Sequence, residues 1–278
     1  MKFSYFFILK LLILNFFLID TVYAQNQFKL PKKALQGELI IIQLPNYSAE
    51  SFIEILKDDT PLKISENGYF VFPIDRDRKN NVVIEICEKK ICEKDEISIL
   101  KRNFDIQKID GLPSNLVTPD DEVLERIIAE NKIIKRSKNI NSDNEFFIKS
   151  FIQPVGGIIT GVFGSQRILN GKPKNPHRGL DIANDEGTPV LSSNDGIVIL
   201  AEPDLYYTGG TIVIDHGHGV KSIYAHLASV DVKLNNFVGK NNIIGTVGST
   251  GRSTGPHLHW GVMVLNTYVD PQLLLNKF

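Results

Sequence analysis

The sequence predicts a mainly β protein, with a small N-terminal β-sandwich-like domain, a linker helix and a C-terminal antiparallel β-domain. Three observations carry this reading. Short β-branched and aromatic runs alternate with turn signals from Gln36 to about Ile109. One well-marked helical pattern begins near Thr118. From Pro154 to the end, glycines and β-branched residues replace helix formers.

Taken in order, residues 1–24 read as a secretory signal peptide. Lys2 and Lys10 punctuate an apolar run that ends at Ile19, and a small-residue cleavage site follows at Val22-Tyr23-Ala24. The uninterrupted apolar part, Leu11 to Ile19 with Asn15 inside it, is well short of the roughly 20 residues that a spanning helix needs. The reading is therefore a mature protein with no stable membrane span after signal cleavage.

Residues 25–110 form the predicted N-terminal β-domain. Its strands are Leu39-Ile40-Ile41-Ile42, Phe52 to Leu56, Tyr69 to Phe72, Val82 to Ile86 and Ile97 to Leu100, with breaks at Asp58-Asp59-Thr60-Pro61, Asn67-Gly68 and Lys79-Asn80-Asn81. The region holds no histidine, so binding, positioning or shielding suits it better than catalysis. Export places Cys87 and Cys92 in an oxidising setting, where the pair reads as a disulfide across a hairpin turning at Lys89-Lys90.

Residues 111–150 supply the helix and linker. Thr118 is the expected N-cap and Pro119 the first helical residue; Asp120 and Asp121 fill the first turn, and Val123, Leu124, Ile127 and Ile128 form a packing stripe. The polar run Ser137 to Asp143 reads as a connector.

Residues 151–278 form the second β-domain. Strands are expected at Thr188 to Val190, Gly196 to Leu200, Gly210 to Ile214, Val220 to Tyr224 and Leu258 to Val264. The composition, 42% hydrophobic and 23% charged, is that of an ordinary globular chain. A net charge of −1 argues against a nucleic-acid binder, which would show a concentrated basic field.

All six histidines fall between His177 and His259. His257 and His259 are one residue apart in a strand-like segment, so both imidazoles face one cleft. His177 and Asp181 stand four apart, where Pro176 and Gly179 favour a loop or strand entry over a helix face. Imidazole and carboxylate suit Zn²⁺, and a catalytic zinc keeps three protein ligands and an open position. His216 and His218 flank Gly217 in a turn-like sequence and read as structural or exposed. Tyr206-Tyr207 and Gly209-Gly210 either line a peptide groove or are ordinary core and surface residues.

His177-x-x-x-Asp181, Tyr224-Ala225-His226-Leu227 and Gly255-Pro256-His257-x-His259 occur in order. Together with Phe163-Gly164, the Arg167 to Gly171 turn, Gly187 to Val190, Asp215-His216-Gly217 and the Gly245 to Trp260 run, they resemble the lysostaphin/LytM-type zinc metalloendopeptidases over Gln153 to Pro271. The resemblance implies that 151–278 is a zinc peptidase domain with one Zn²⁺ held by His177, Asp181 and His259. It makes His226 and His257 the non-ligand catalytic histidines. It also implies peptidoglycan stem peptides as substrate, D,D-endopeptidase cleavage, and a periplasmic or secreted location. No His-Glu-x-x-His occurs, so imidazole must do the acid–base work. The competing expectation is a non-catalytic regulator of cell-wall hydrolases on the same fold. Protein regulators are possible partners, and Gln25 to about Ser150 is expected to regulate or direct the catalytic part without contributing a reacting group.

Overall fold

The computed structural model describes residues 29–275 apart from 46, 47, 49, 57–59, 89 and 90. The expected signal peptide, the Asp58-Asp59 break and the Lys89-Lys90 turn therefore lie outside the described residues. No helix among the described residues is long and apolar enough to cross a membrane.

The architecture is mostly β, with two β-regions joined by a short helical segment. The first half contains β1 (Lys33–Leu35), β2 (Leu39–Gln43), β3 (Ser51–Leu56), β4 (Thr60–Leu62), β5 (Tyr69–Pro73), β6 (Val82–Glu88), β7 (Ile91–Leu100) and β8 (Ile106–Ile109). One sheet has the order β1-β7-β6-β3-β4, and β2 pairs with β5 as a separate ribbon. Cys87 and Cys92 stand opposite each other on β6 and β7 and form the expected disulfide.

The ribbon explains why Leu39 to Ile42 is an unbroken apolar run. Side chains alternate faces along a strand, and here both faces are covered. Ile40, Ile42, Phe70 and Phe72 pack with Ile53, Ile84 and Ile97 in the first core. Leu39 and Val71 join the core of the second half, with Ile41 and Tyr69 packed against it. A strand buried on both sides needs apolar residues at every position.

Two helices follow, α1 (Ser114–Val117) and α2 (Asp121–Asn139). Here the expected start at Thr118 is corrected. Thr118 is extended and its N–H closes α1 on Ser114, while Asp120 is the N-cap of α2. The physical reason is Pro119, whose ring drives the preceding residue out of the helical region. The expected stripe is also narrower than four residues. Ile127 is buried and Ile134 packs on Ile199, Leu200, Leu205 and Val213, whereas Leu124 and Ile128 are exposed. Nor is Ser137 to Asp143 a free connector. It begins in the last turn of α2, where Ser137 is buried, and Ser142 is tied to the Asp215 carboxylate and to the His218 N–H.

The second half contains β9 (Ile158–Gly161), β10 (Gln166–Leu169), β11 (Lys172–Pro173), β12 (Leu180–Ala183), β13 (Pro189–Leu191), β14 (Gly196–Leu205), β15 (Gly209–Asp215), β16 (Val220–Val230), β17 (Phe237–Val238), β18 (Ile243–Val247), β19 (His257–Val264) and β20 (Thr267–Val269). The main sheet runs β17-β14-β15-β16-β19-β12-β9 and is antiparallel. Its core centres on fully buried Trp260 and Tyr224. β8 crosses over from the first half and pairs in parallel with β10. Further ties join the halves: Arg102 pairs with buried Asp270 at 2.7 Å, and Arg76 donates to the Gly164 carbonyl at 2.7 Å.

Candidate active site

Three adjacent strands bring the histidines together. On the β12–β19 ladder Asp181 lies opposite His259, and on the β16–β19 ladder Ala225 lies opposite the same residue. His257 and His259 share a face, alternating with buried Leu258 and Trp260. His226 follows Ala225 at a break in register and has φ +64°, a left-handed conformation that turns its side chain out of the strand alternation. His177 sits in the loop before β12, as Pro176 and Gly179 suggested.

Tautomers follow from the acceptors, because a ring nitrogen facing a carbonyl oxygen must carry the proton. His177 Nδ1 donates to the Val162 carbonyl at 3.0 Å, which leaves its Nε2 with a lone pair. That Nε2 lies 2.9 Å from Asp181 Oδ1 and 3.0 Å from His259 Nδ1, and the last two atoms are 2.8 Å apart. Among the described residues this is the one group whose donor atoms converge enough to hold a metal ion. A carboxylate oxygen and an imidazole lone pair aimed at one point, in a buried setting, need a cation or shared protons between them. The donor set fits zinc.

Two glycines make the space. A Cβ on Gly161 would stand 2.5 Å from Asp181 Oδ2, and one on Gly179 would stand 2.8 Å from the His259 ring. Burial would raise the Asp181 pKa, yet in the metal-free cluster protons shared with His177 and His259 hold it well below the usual carboxylate range, and a bound cation would take the place of those protons. Burial pulls His259 down, against the opposing Asp181 hydrogen bond.

The other two imidazoles are oriented the same way. His226 donates Nδ1–H to the Thr250 carbonyl at 2.8 Å, and His257 donates to the Gly255 carbonyl at 2.8 Å. In the neutral ring each thus presents its Nε2 lone pair. Their ring centroids are 4.8 Å apart, with His226 also 6.2 Å from His259. Burial, then the charges of His257 and His259, push the His226 pKa down to about 3.

His216 and His218 lie outside this cluster and are buried. His216 donates to the Asp195 carbonyl and meets Ser222, whereas His218 packs in a tilted pair with Phe147, ring centroids 5.4 Å apart. The structural reading of the pair holds. Tyr207 lines the cleft, with Arg252 above its ring at 4.8 Å. Sequence reasoning gave no role to Arg252 or Gln107, and Arg167 entered it only as one end of a turn. All three line the cleft, and Arg167 bonds the Asp181 carboxylate. A lone arginine beside a glycine turn carries no periodic signal that could have marked it.

Residues 175–271 match the model of peptidase family M23. Over those residues the chain has a family M23 peptidase fold. A crystal structure from Pseudomonas aeruginosa described as an M23 peptidase superposes on 88% of this chain and 96% of its own, with a TM-score of 0.66 and 26% identity. The M23 region is also similar to a DD-carboxypeptidase/endopeptidase of Neisseria meningitidis serogroup B, 42% identical over 95 residues, which are 34% of this chain and 22% of that protein. A peptidoglycan DD-endopeptidase of Vibrio cholerae is 43% identical over 89 residues, 32% of this chain and 20% of its own. The match thus spans about a fifth of these curated relatives.

Proposed function

We propose that this M23 chain is a zinc metalloendopeptidase that hydrolyses the peptide cross-links of bacterial peptidoglycan as a D,D-endopeptidase, outside the cytoplasm. The observation that carries it is the cluster of His177 Nε2, Asp181 Oδ1 and His259 Nδ1 within 3.0 Å, beside two imidazoles with free Nε2 atoms. In this reading His177, Asp181 and His259 hold one Zn²⁺ per chain, and His226 and His257 are catalytic. When bound, zinc acidifies a water and polarises the scissile carbonyl. His226 and His257 orient the attacking water, carry its proton and hydrogen-bond the oxygen on which charge develops. Their backbone-anchored Nδ1 atoms fix the rings, so little reorganisation is needed as the bond breaks.

The names of the Neisseria and Vibrio relatives support stem-peptide cross-links as substrate. We further assign residues 1–24 to a signal peptide, 25–110 to an N-terminal β-domain, 111–150 to a helix and linker, and 151–278 to the zinc peptidase domain. The region before 151 acts on the cleft as a fixed wall that admits or directs substrate, a role supported by the presence of Gln107, Ile109 and Leu112 along its edge.

The test is digestion of purified sacculi by the mature protein with zinc, followed by mass spectrometry of the muropeptides. Cross-linked dimers should fall and monomers rise in step, chelation should stop this, and zinc should restore it. Undiminished cleavage in a rigorously metal-free sample, or cuts confined to the glycan strands, would refute the proposal.

A further inference from the structure

The cleft has two lobes, and their charge is unequal. Both lobes are bordered by Arg167, Leu169, His226 and Arg252, which form the saddle between them. The lobe toward Asn175 and Tyr268 encloses about 430 Å³ and is lined by four cations, Arg167, Lys174, Arg178 and Arg252, with no aspartate or glutamate in its wall. In a chain of net charge −1 this is a local concentration that the composition does not predict.

Three of the four cations have only neutral partners among the described residues. Lys174 donates to the Val117 carbonyl at 2.8 Å, Arg178 stands 5.0 Å over the Tyr268 ring, and Arg252 stands 4.8 Å over the Tyr207 ring. The fourth, Arg167, bonds Asp181 and Gln107, which places the lobe directly against the candidate metal ligands. Burial lowers the Arg252 pKa, and the nearby Arg167 charge adds to the effect against the opposing Tyr207. A half-buried guanidinium without a counter-ion is a cost to the free protein, and a ligand anion would remove it.

We propose that this lobe is a carboxylate-binding subsite that selects peptide substrates carrying a free carboxylate close to the bond cleaved, with Arg252, Lys174 and Arg178 as its specificity residues. This rests on the peptidase reading given above and deepens it. Arginine's planar fork suits a carboxylate held in two-point contact, and the Tyr207 ring, 4.8 Å from the guanidinium carbon of Arg252, backs that fork at the cleft wall. The other lobe, lined by Ile109, Leu112 and Pro256 among others, is less cationic and takes the opposite side of the substrate.

The experiment compares untreated sacculi with sacculi whose free carboxylates are converted to amides by carbodiimide and ammonia. It uses the mature protein and a Lys174→Gln, Arg178→Gln, Arg252→Gln variant, with folding checked by circular dichroism and zinc content by metal analysis. Two quantities are read: the cleavage rate at low substrate, and the bound fraction in a pelleting assay without added zinc. The native protein should cleave and bind amidated sacculi about tenfold less well, as expected for loss of charge-assisted hydrogen bonds, and the variant should treat both substrates alike. Equal handling by the native protein would overturn the proposal, as would a variant that still discriminates. If neither substrate is cleaved, the peptidase reading fails, and the pelleting ratio alone decides the subsite. If the single substitution Arg252→Gln is the only variant that folds, it should lose at least half of the discrimination on a logarithmic scale, and full retention would overturn the assignment.

Discussion

His257 and His259 sit on the same face of one strand, yet their ring nitrogens face different partners. His259 Nδ1 meets Asp181 and His177, whereas His257 Nδ1 is bound to a backbone carbonyl. His259→Ala should therefore lose zinc and activity together. His257→Ala or His226→Ala should keep most of the zinc while turnover falls roughly 10²–10⁴-fold. Metal analysis beside kinetics checks this, and zinc loss in His257→Ala but not in His259→Ala would invert the assignment. His216 supplies a second prediction. Its burial lowers the folded pKa to about 4 from 6.5, so the unfolded chain binds the proton more readily. Stability is full above about pH 6.5 and is lost as pH falls toward 4, by about 3 kcal/mol over the window. Urea unfolding of the metal-free protein at several pH values should show this slope, and His216→Gln should flatten it. The convergence of His177, Asp181 and His259 was legible through the ordered His, Asp and Gly motifs that carry the family resemblance, since none of those spacings is specific alone. Arg167, Arg252 and Gln107 were not, because they converge only through β10, β8 and the loop after β18.

At the scale of elements, the longer strands were read correctly where alternation or β-branching was dense, as in β2, β6, β15 and β19. Shorter ones escaped. β10 and β11 contain Gln166, Arg167, Lys172 and Pro173, which have weak strand preference and are held by neighbours distant in sequence. The register break at His226 was equally hidden, since no glycine marks its positive φ. The helix start was displaced because the sequence Thr-Pro-Asp-Asp offers two caps, and the conformation forced on Thr118 by Pro119 decides between them.

Across the whole molecule, the two halves share the β2–β5 ribbon instead of meeting at a wet interface. Removing the first half would strip Leu39 and Val71 from the second core, a loss of about 3–6 kcal/mol from those two side chains alone. That is comparable with the entire stability of many domains. A fragment from Phe151 to Phe278 should therefore be aggregated or loosely packed, with near-ultraviolet circular dichroism weak and its thermal transition broad, while the mature chain melts in one step. A sharply melting, monomeric fragment would show that the ribbon is dispensable. The same ribbon sets an order of events during synthesis. Its outward face, made first, stays uncovered until the β19 and Asp270 region has been made, since Asp270 N–H bonds the Gly37 carbonyl beside β2 and its carboxylate holds Arg102. His259 also lies on β19, opposite Asp181, so the three candidate metal ligands come together only once the strand that helps to cover the ribbon is in place.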